Sequence, residues 1–523
     1  MATPAKDIAV ARQAFSQGDF ALAARVLRRV LAAQPGNSLA NELMGYVEAN
    51  RGNFARAREL LTAATQAPGA SAASWYYLGR LAFQEARLDD AESAMRRALS
   101  LDAGFFEALH DLGRVLHERG EFAQAVECFQ RAGAANPASF EVHHNLGRSL
   151  RSLGRYAEAL EEYDRALASN ARSAETWLNR GEVLHDLGRM DAALESYARA
   201  RELRPDYPEA AANTALCLLA RGDWEAGWRE MEARWRGPGG LRERHAAIPR
   251  WRGEEPVAGK RILVWAEQGF GDTLQFCRVV APLVERGAEV ILEVQEPLRA
   301  LLEANLACQV VAVDEGIPSC DWQLSLLSLA AVLGVKPGEI PASVPYIRAP
   351  SDRVDKWRER LGPRGQKLRA AVTCSGRGTY KHEARRRIAL ADLAVLAPHA
   401  ELFVVQKHLE EEDRRALESG AIDAEYLGDE LVDFRDGAGI IANMDVVISI
   451  DTSIAHLAGA MAKPVWLMLA DVPDWRWMLE RSDSPWYPTA RLFRQKRPGD
   501  WAGVLEAVQR ALQDFNLRDR GSD

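Results

Sequence analysis

Along the first half of the chain, small and apolar residues return on a fixed period. Small residues stand at Ala11, Gly45, Gly79, Gly113, Gly147, Gly181 and Ala215, each 34 positions after the last. Three further registers keep that step. One carries Gly18, Gly52, Ala86, Gly120, Gly154, Gly188 and Gly222; another carries Ala23, Ala57, Ala91, Ala125, Ala159 and Ala193; the third carries the large residues Leu27, Leu61, Met95, Phe129, Tyr163, Tyr197 and Met231. Each unit predicts a pair of helices, and Pro35, Pro137 and Pro205, which share a register, mark where a second helix stops. Such units bury their surface against their neighbours, which predicts an α-solenoid with a concave face. Seven units are expected from about residue 4 to residue 237, within a repeat domain of residues 1–237. The last unit departs from the pattern. Gly227 and Arg234 occupy alanine positions, and Trp224, Trp228 and Trp235 crowd its second helix. These tryptophans form either a cap that docks on the next domain or a simple core.

A Gly-, Pro- and Arg-rich joint at residues 238–258 separates this region from one with a different period. Short apolar runs now alternate with amphipathic stretches. RILVW, AEVILEV and CQVVAVD read as buried strands with helices between them, including one helix over DTLQFCRVVAPLVERG. After the Pro-rich VKPGEIPASVPYIRAP comes a second set of strands, LRAAVTC, AELFVVQ, MDVVISI and KPVWLML, and WAGVLEAVQRALQDF reads as a closing helix. Alternation of this kind predicts two doubly wound, Rossmann-like α/β halves, residues 259–350 and 351–523, facing a cleft.

Composition narrows the function. The 523 residues are 47% hydrophobic and 27% charged, ordinary for globular protein, and the net charge of −8 argues against nucleic acid as the main partner. Six scattered cysteines form neither a zinc pattern nor a disulfide framework, so no metal site is expected and a reducing compartment fits. The N-terminus lacks an apolar signal core, and no run of about 18 apolar residues occurs. A cytoplasmic protein without membrane insertion is the expectation.

Ligands of doubly wound sheets sit beyond the carboxyl ends of strands, which singles out three loops. In WAEQGFGDTLQF, Gly269 and Gly271 let backbone approach a ligand, and Asp272 is either a helix cap worth about 1 kcal/mol or a carboxylate facing the cleft. In TCSGRGTYKHEARRRIAL, Ser375, Gly376, Lys381, His382 and the arginines 385–387 form either a solvated charge run or a cradle for phosphate oxygens. In SIDTSIAHLAG, the hydroxyls of Thr452 and Ser453 sit at a strand-to-helix turn suited to an anion. Asp451 is placed to support the turn, and His456 is either a core histidine or part of the site.

Taken together, GFGDTLQF, the Lys381–His382 pair and the segment from Asp451 to Ala458 resemble GT-B glycosyltransferases of the heptosyltransferase type. Their coupling to a tetratricopeptide array resembles O-GlcNAc transferase-like proteins and bacterial flagellin glycosyltransferases. The segment PDWRWMLERSDSPWYPTARLFRQKRPGDW is similar to the same bacterial group. The resemblance implies a metal-independent protein glycosyltransferase that needs no cofactor beyond its nucleotide-sugar donor. It implies a sugar moved to Ser or Thr of a protein acceptor, flagellin among the candidates, held by the repeats. Asp272 is then the general base, Lys381 pairs with the donor diphosphate, and Ser375, His382, Thr452, Ser453 and His456 line the donor side with Asp451 as support. The chain departs from the family in the loop after VTCSG, where a tryptophan-glycine-asparagine sequence is usual, and at Ser453, where glycine is common. The altered loop keeps a non-catalytic adaptor in view, as well as a transferase acting on a glycan or lipid-linked acceptor.

Overall fold

The computed structural model describes residues 4–237, 242–376 and 383–520. The chain divides into two compact units, residues 1–206 and 207–523.

The first unit is a run of twelve helices in six pairs, from Pro4–Ser16 and Phe20–Ala33 to Ala174–Asp186 and Met190–Leu203. The periodic residues explain the pairing. A Cβ at Gly113 would stand 2.7 Å from the Phe129 ring, and one at Gly147 would stand 2.8 Å from the Tyr163 ring. Only a missing side chain lets the paired helices close over those aromatics. The second glycine register serves the turns, with φ of +78° at Gly120 and +72° at Gly154, a left-handed conformation that ends one helix and starts the next. Helices Phe20–Ala33, Phe122–Ala135 and Met190–Leu203 each end just before a periodic proline. Side-chain caps on Asp19, Asn37, Ser71, Ser139 and Ser173 satisfy orphan amides at helix starts.

The second unit opens with the seventh helix pair, Pro208–Arg221 and Trp224–Met231. Its tryptophans join the core of this unit. Trp224 stacks on Trp486 at 4.8 Å, Trp228 meets Trp475 edge-on at 5.4 Å, and the Trp228 Nε1–H donates to Val335 O at 2.6 Å. Arg234 is buried on the Trp235 ring and pairs with Glu267, Glu232, Ser325 and Ser328. The tryptophans at both ends of the unit therefore bury one seam.

The rest of the unit is built on two parallel sheets. The first contains β1 (Arg261–Trp265), β2 (Glu289–Val294), β3 (Gln309–Ala312) and β4 (Trp322–Ser325) in the order β3-β2-β1-β4. The second contains β5 (Leu368–Thr373), β6 (Ala400–Val404), β7 (Ala424–Tyr426), β8 (Val446–Ser449), β9 (Val465–Leu469) and β10 (Ala490–Arg494), ordered β10-β9-β8-β5-β6-β7. Counted from its own first strand, the second sheet has the 3-2-1-4-5-6 order of dinucleotide-binding folds, and the first sheet has its 3-2-1-4 part. Three strands go beyond those expected from the apolar runs: β4, β7 and β10 are all edge strands. With fewer buried neighbours they lack the continuous apolar run that marks a central parallel strand. The single helix expected over DTLQFCRVVAPLVERG is also divided, into Phe270–Phe276, a 3₁₀ turn Cys277–Val280 and Ala281–Glu285, with Pro282 starting the last piece. Part of the joint pairs with the first sheet, since Gln323 N–H donates to Pro249 O and Trp251 N–H donates to Gln323 O. Among the described residues, no helix is long and apolar enough to cross a membrane.

Candidate functional site

Strand order decides where the site lies. In the second sheet, connections leave β5 and β8 in opposite directions, which opens a crevice at the carboxyl ends of that pair, and the segment after β1 of the first sheet lines the same space. The cleft has a volume of about 670 Å³ and is lined from the first sheet by residues 268–272 and from the second by Ser375, Arg386, Gln406, residues 451–454 and Arg476. Gly269, Gly271, Asp272, Ser375, Gly376, Asp451, Thr452, Ser453 and His456 all line it. Lys381 and His382 lie outside the described residues.

Asp272 sits in the first turn of helix Phe270–Phe276, and its Oδ2 accepts the Gly269 N–H at 2.9 Å. The other oxygen pairs with Arg476, which comes from the 3₁₀ turn Trp475–Trp477 after β9. Arg476 is itself buried, donating from Nε to Gln275 Oε1 at 2.8 Å and from Nη1 to Asp474 at 2.8 Å, with its guanidinium over the Trp475 ring at 4.6 Å. Burial alone would lower its proton affinity, but Asp474 and Asp272 outweigh burial and hold the guanidinium above its usual range. Asp272 thus caps its own helix and also faces the cleft.

The SIDTSIAHLAG turn delivers a different chemistry from each residue. Thr452 precedes helix Ser453–Ala460 but makes no side-chain cap. Its hydroxyl instead joins those of Ser449, at 3.0 Å, and Thr373, at 3.3 Å, tying the ends of β8 and β5 together. The first-turn amides of the helix therefore gain no cap from Thr452, and Ser453 opens the helix on the cleft wall, an arrangement suited to anions. His456 is buried with Nδ1 2.9 Å from Tyr487 OH, Nε2 3.4 Å from Asp451 Oδ1 and its ring stacked on Trp477 at 5.3 Å. Both nitrogens meet protein partners, so His456 holds the turn and presents a ring edge to the cleft. That edge dictates Gly271, where a Cβ would come within 2.8 Å of His456 Cδ2. Burial would raise the Asp451 carboxyl, but His456, with the Arg386 and Arg476 charges, holds it below the usual range.

The cationic loop after β5 is divided by its partners. Arg385 pairs with Asp471 at 3.1 Å and Arg387 with Asp413 at 3.1 Å, whereas Arg386 donates to Asp451 O at 2.8 Å and lines the cleft. Ser375 is latched by Gln406, whose Nε2 donates to its hydroxyl at 2.8 Å. Gln406, Lys407, His408 and Arg476 line the cleft without having stood out in the sequence. The first three come directly after β6, so the strand-end rule that found the other loops would have found them. Arg476 had no such signal, because Asp272 lies 204 positions away in sequence. Among the described residues, no cluster of His, Cys, Asp and Glu is arranged to hold a metal ion.

A family model described as tetratricopeptide repeat matches residues 9–71, 43–104, 76–140, 110–171 and 144–208. The helix pairs of the first unit are tetratricopeptide repeats. The chain is 26% identical over 333 residues to Protein FlbA of Caulobacter vibrioides, an alignment covering 58% of this chain and 54% of that protein. It thus spans about half the length of the curated relative it matches. Among solved structures, MamA shares 24% identity with a TM-score of 0.29, covering 33% of this chain and 94% of that one. YrrB, described as a TPR protein with an unusual peptide-binding site, shares 19% with a TM-score of 0.34, covering 36% and 96%. The tetratricopeptide repeats stand in front of a region of parallel sheets and helices that carries the cleft.

Proposed function

We propose that the second unit is a GT-B-type glycosyltransferase that moves a sugar from a nucleoside-diphosphate donor to a protein hydroxyl held by the tetratricopeptide repeats. One observation carries the reading: loops after strands of two parallel sheets line one cleft of nucleotide-sugar size, with a carboxylate on one wall and a helix start flanked by Arg386 on the other. In this reading Asp272 takes the proton as the acceptor oxygen attacks the anomeric carbon. The bond from that carbon to the donor phosphate breaks, and the diphosphate leaves with the electron pair. The amides opening helix Ser453–Ala460, with Arg386 and Lys381, neutralise the leaving charge, and Ser375 and His382 complete the donor side. Flagellin is the first acceptor to test, on the resemblance of the motifs.

Calorimetric titration of the full chain with UDP, GDP, ADP and CDP tests the donor site. One nucleotide should bind at micromolar affinity, and Arg386→Ala should weaken it 10- to 100-fold, as loss of a charge-assisted contact of about 1.5–3 kcal/mol requires. A folded protein that binds none of the four sinks the reading. A non-catalytic adaptor is favoured by one observation, that both Asp272 oxygens are already engaged. A protein that binds nucleotide but turns over no donor sugar with any acceptor would support the adaptor.

A further inference from the structure

We propose that Arg476 is a positioning residue for the transfer, acting through Asp272; this rests on the glycosyltransferase reading above. A carboxylate oxygen has two lone pairs, and Asp272 engages one on each oxygen, toward Gly269 N–H and toward Arg476. Held at both oxygens, the carboxylate cannot rotate, and its remaining lone pairs have fixed directions on the cleft wall. A lone capping bond would leave one oxygen free to swing. The guanidinium that completes the hold is rigid in turn. Its Nε is on Gln275, its Nη1 on Asp474, and its face lies on Trp475.

The origin of the two partners matters as much as their contact. Asp272 belongs to the helix after β1, whereas Arg476 comes after β9, so the pair joins the first sheet to the second at the wall of the cleft. Any donor held by the second sheet is therefore registered against the base carried by the first. An exposed ion pair would do this poorly, because solvent screens it and both side chains move. Here the Arg476 side chain is 8% exposed and that of Asp272 is 21% exposed. The other charged groups around the pair are Asp474 on the same turn, Asp451 and His456 on the turn and helix after β8, and Arg386 from the loop after β5. Lysine at 476 would keep the charge but lose the planar fork.

Arg476→Gln and Arg476→Lys separate this role from simple support. With nucleotide affinity within twofold of wild type, kcat should fall about 100-fold in Arg476→Gln, the scale that misplacement of a reacting group by 1 Å carries. Arg476→Lys should recover part of the loss. In an Asp272→Glu background, where the carboxylate is already displaced, Arg476→Gln should cost less than threefold. An unchanged kcat, a parallel loss of nucleotide binding, or the full 100-fold cost in the Asp272→Glu background would overturn the proposal. If Arg476→Gln does not fold, the same comparison with Arg476→Lys decides it. A wild-type chain that binds no nucleotide and transfers no sugar overturns the glycosyltransferase reading itself, and is seen before any variant is made.

Discussion

At the scale of single residues, the cleft is governed by what has been left out as much as by what is present. Gly271 is the clearest case. The His456 ring fills the space where a β-carbon would go, and that ring cannot retreat because Tyr487 holds Nδ1 and Trp477 covers its face. Gly271→Ala should therefore cost about 1–3 kcal/mol through overpacking and displace the SIDTSIAHLAG turn. The expected result is a lower melting temperature together with weaker nucleotide binding. An alanine variant matching wild type in both would show that the ring gives way freely. The glycine was legible in the sequence as a place where backbone could approach a ligand, but the contact that requires it was not. The ring that excludes a side chain there lies far along the chain, and no local pattern reports it.

At the scale of elements, contacts between helices show the same division between what local pattern carries and what it does not. Helix Phe434–Ala442 approaches helix Ser351–Leu361 so closely that a Cβ at Gly439 would stand 2.7 Å from Trp357 Cδ1. The contact is locked by Asp436, which is buried and accepts from Trp357 Nε1 at 3.0 Å and Lys356 Nζ at 2.9 Å, with Arg353 at 3.3 Å. Burial would raise this carboxyl, but Lys356, the Trp357 N–H and the Val432 N–H outweigh it and hold the group below its ordinary value of 3.8. A carboxyl depressed in the folded state stabilises above its unfolded pKa, and that contribution disappears as pH falls through the lower, folded value. Asp436→Asn should therefore be less stable than wild type by about 1.5–3 kcal/mol at neutral pH. The gap should begin to narrow once pH falls below the ordinary carboxyl value and go on narrowing as pH falls through the lower, folded value, and urea melts over a descending pH series check it. A gap that does not narrow at all as pH falls would mean that shape, not charge, sets the cost. Neither the Asp nor its partners stood out in the sequence, because a buried ion pair across two helices has no spacing rule. The repeats were legible for the opposite reason, since every unit solves one packing problem with one set of residues.

At the scale of the whole molecule, the boundary between units makes a prediction that the 34-residue period does not. The period runs on through Ala215 and Met231, and counting registers alone puts the end of the repeats near residue 237. Yet the seventh helix pair packs into the same core as the sheets, with Trp224 on Trp486 and Trp228 on Trp475. Aromatic side chains of this kind bury roughly 150–250 Å² each, worth about 4–6 kcal/mol apiece at 25 cal/mol per Å². Two of them match a large part of the 5–15 kcal/mol that typically holds a domain together. A fragment starting at residue 238 also loses Arg234. Glu267, whose side chain is 1% exposed and whose carboxyl is raised by burial against the pull of Arg234, would then stand as an unpaired buried acid. Breaking such a pair costs about 3–5 kcal/mol. Residues 207–523 should accordingly fold cooperatively and bind nucleotide as the full chain does, while residues 238–523 should be insoluble or lack a cooperative melt. On the proposed function, in which the tetratricopeptide repeats hold the acceptor, transfer to a protein acceptor should be lost from both fragments. A fragment 238–523 that melts like fragment 207–523 would place the seventh pair with the repeats in energetic terms, whatever it touches.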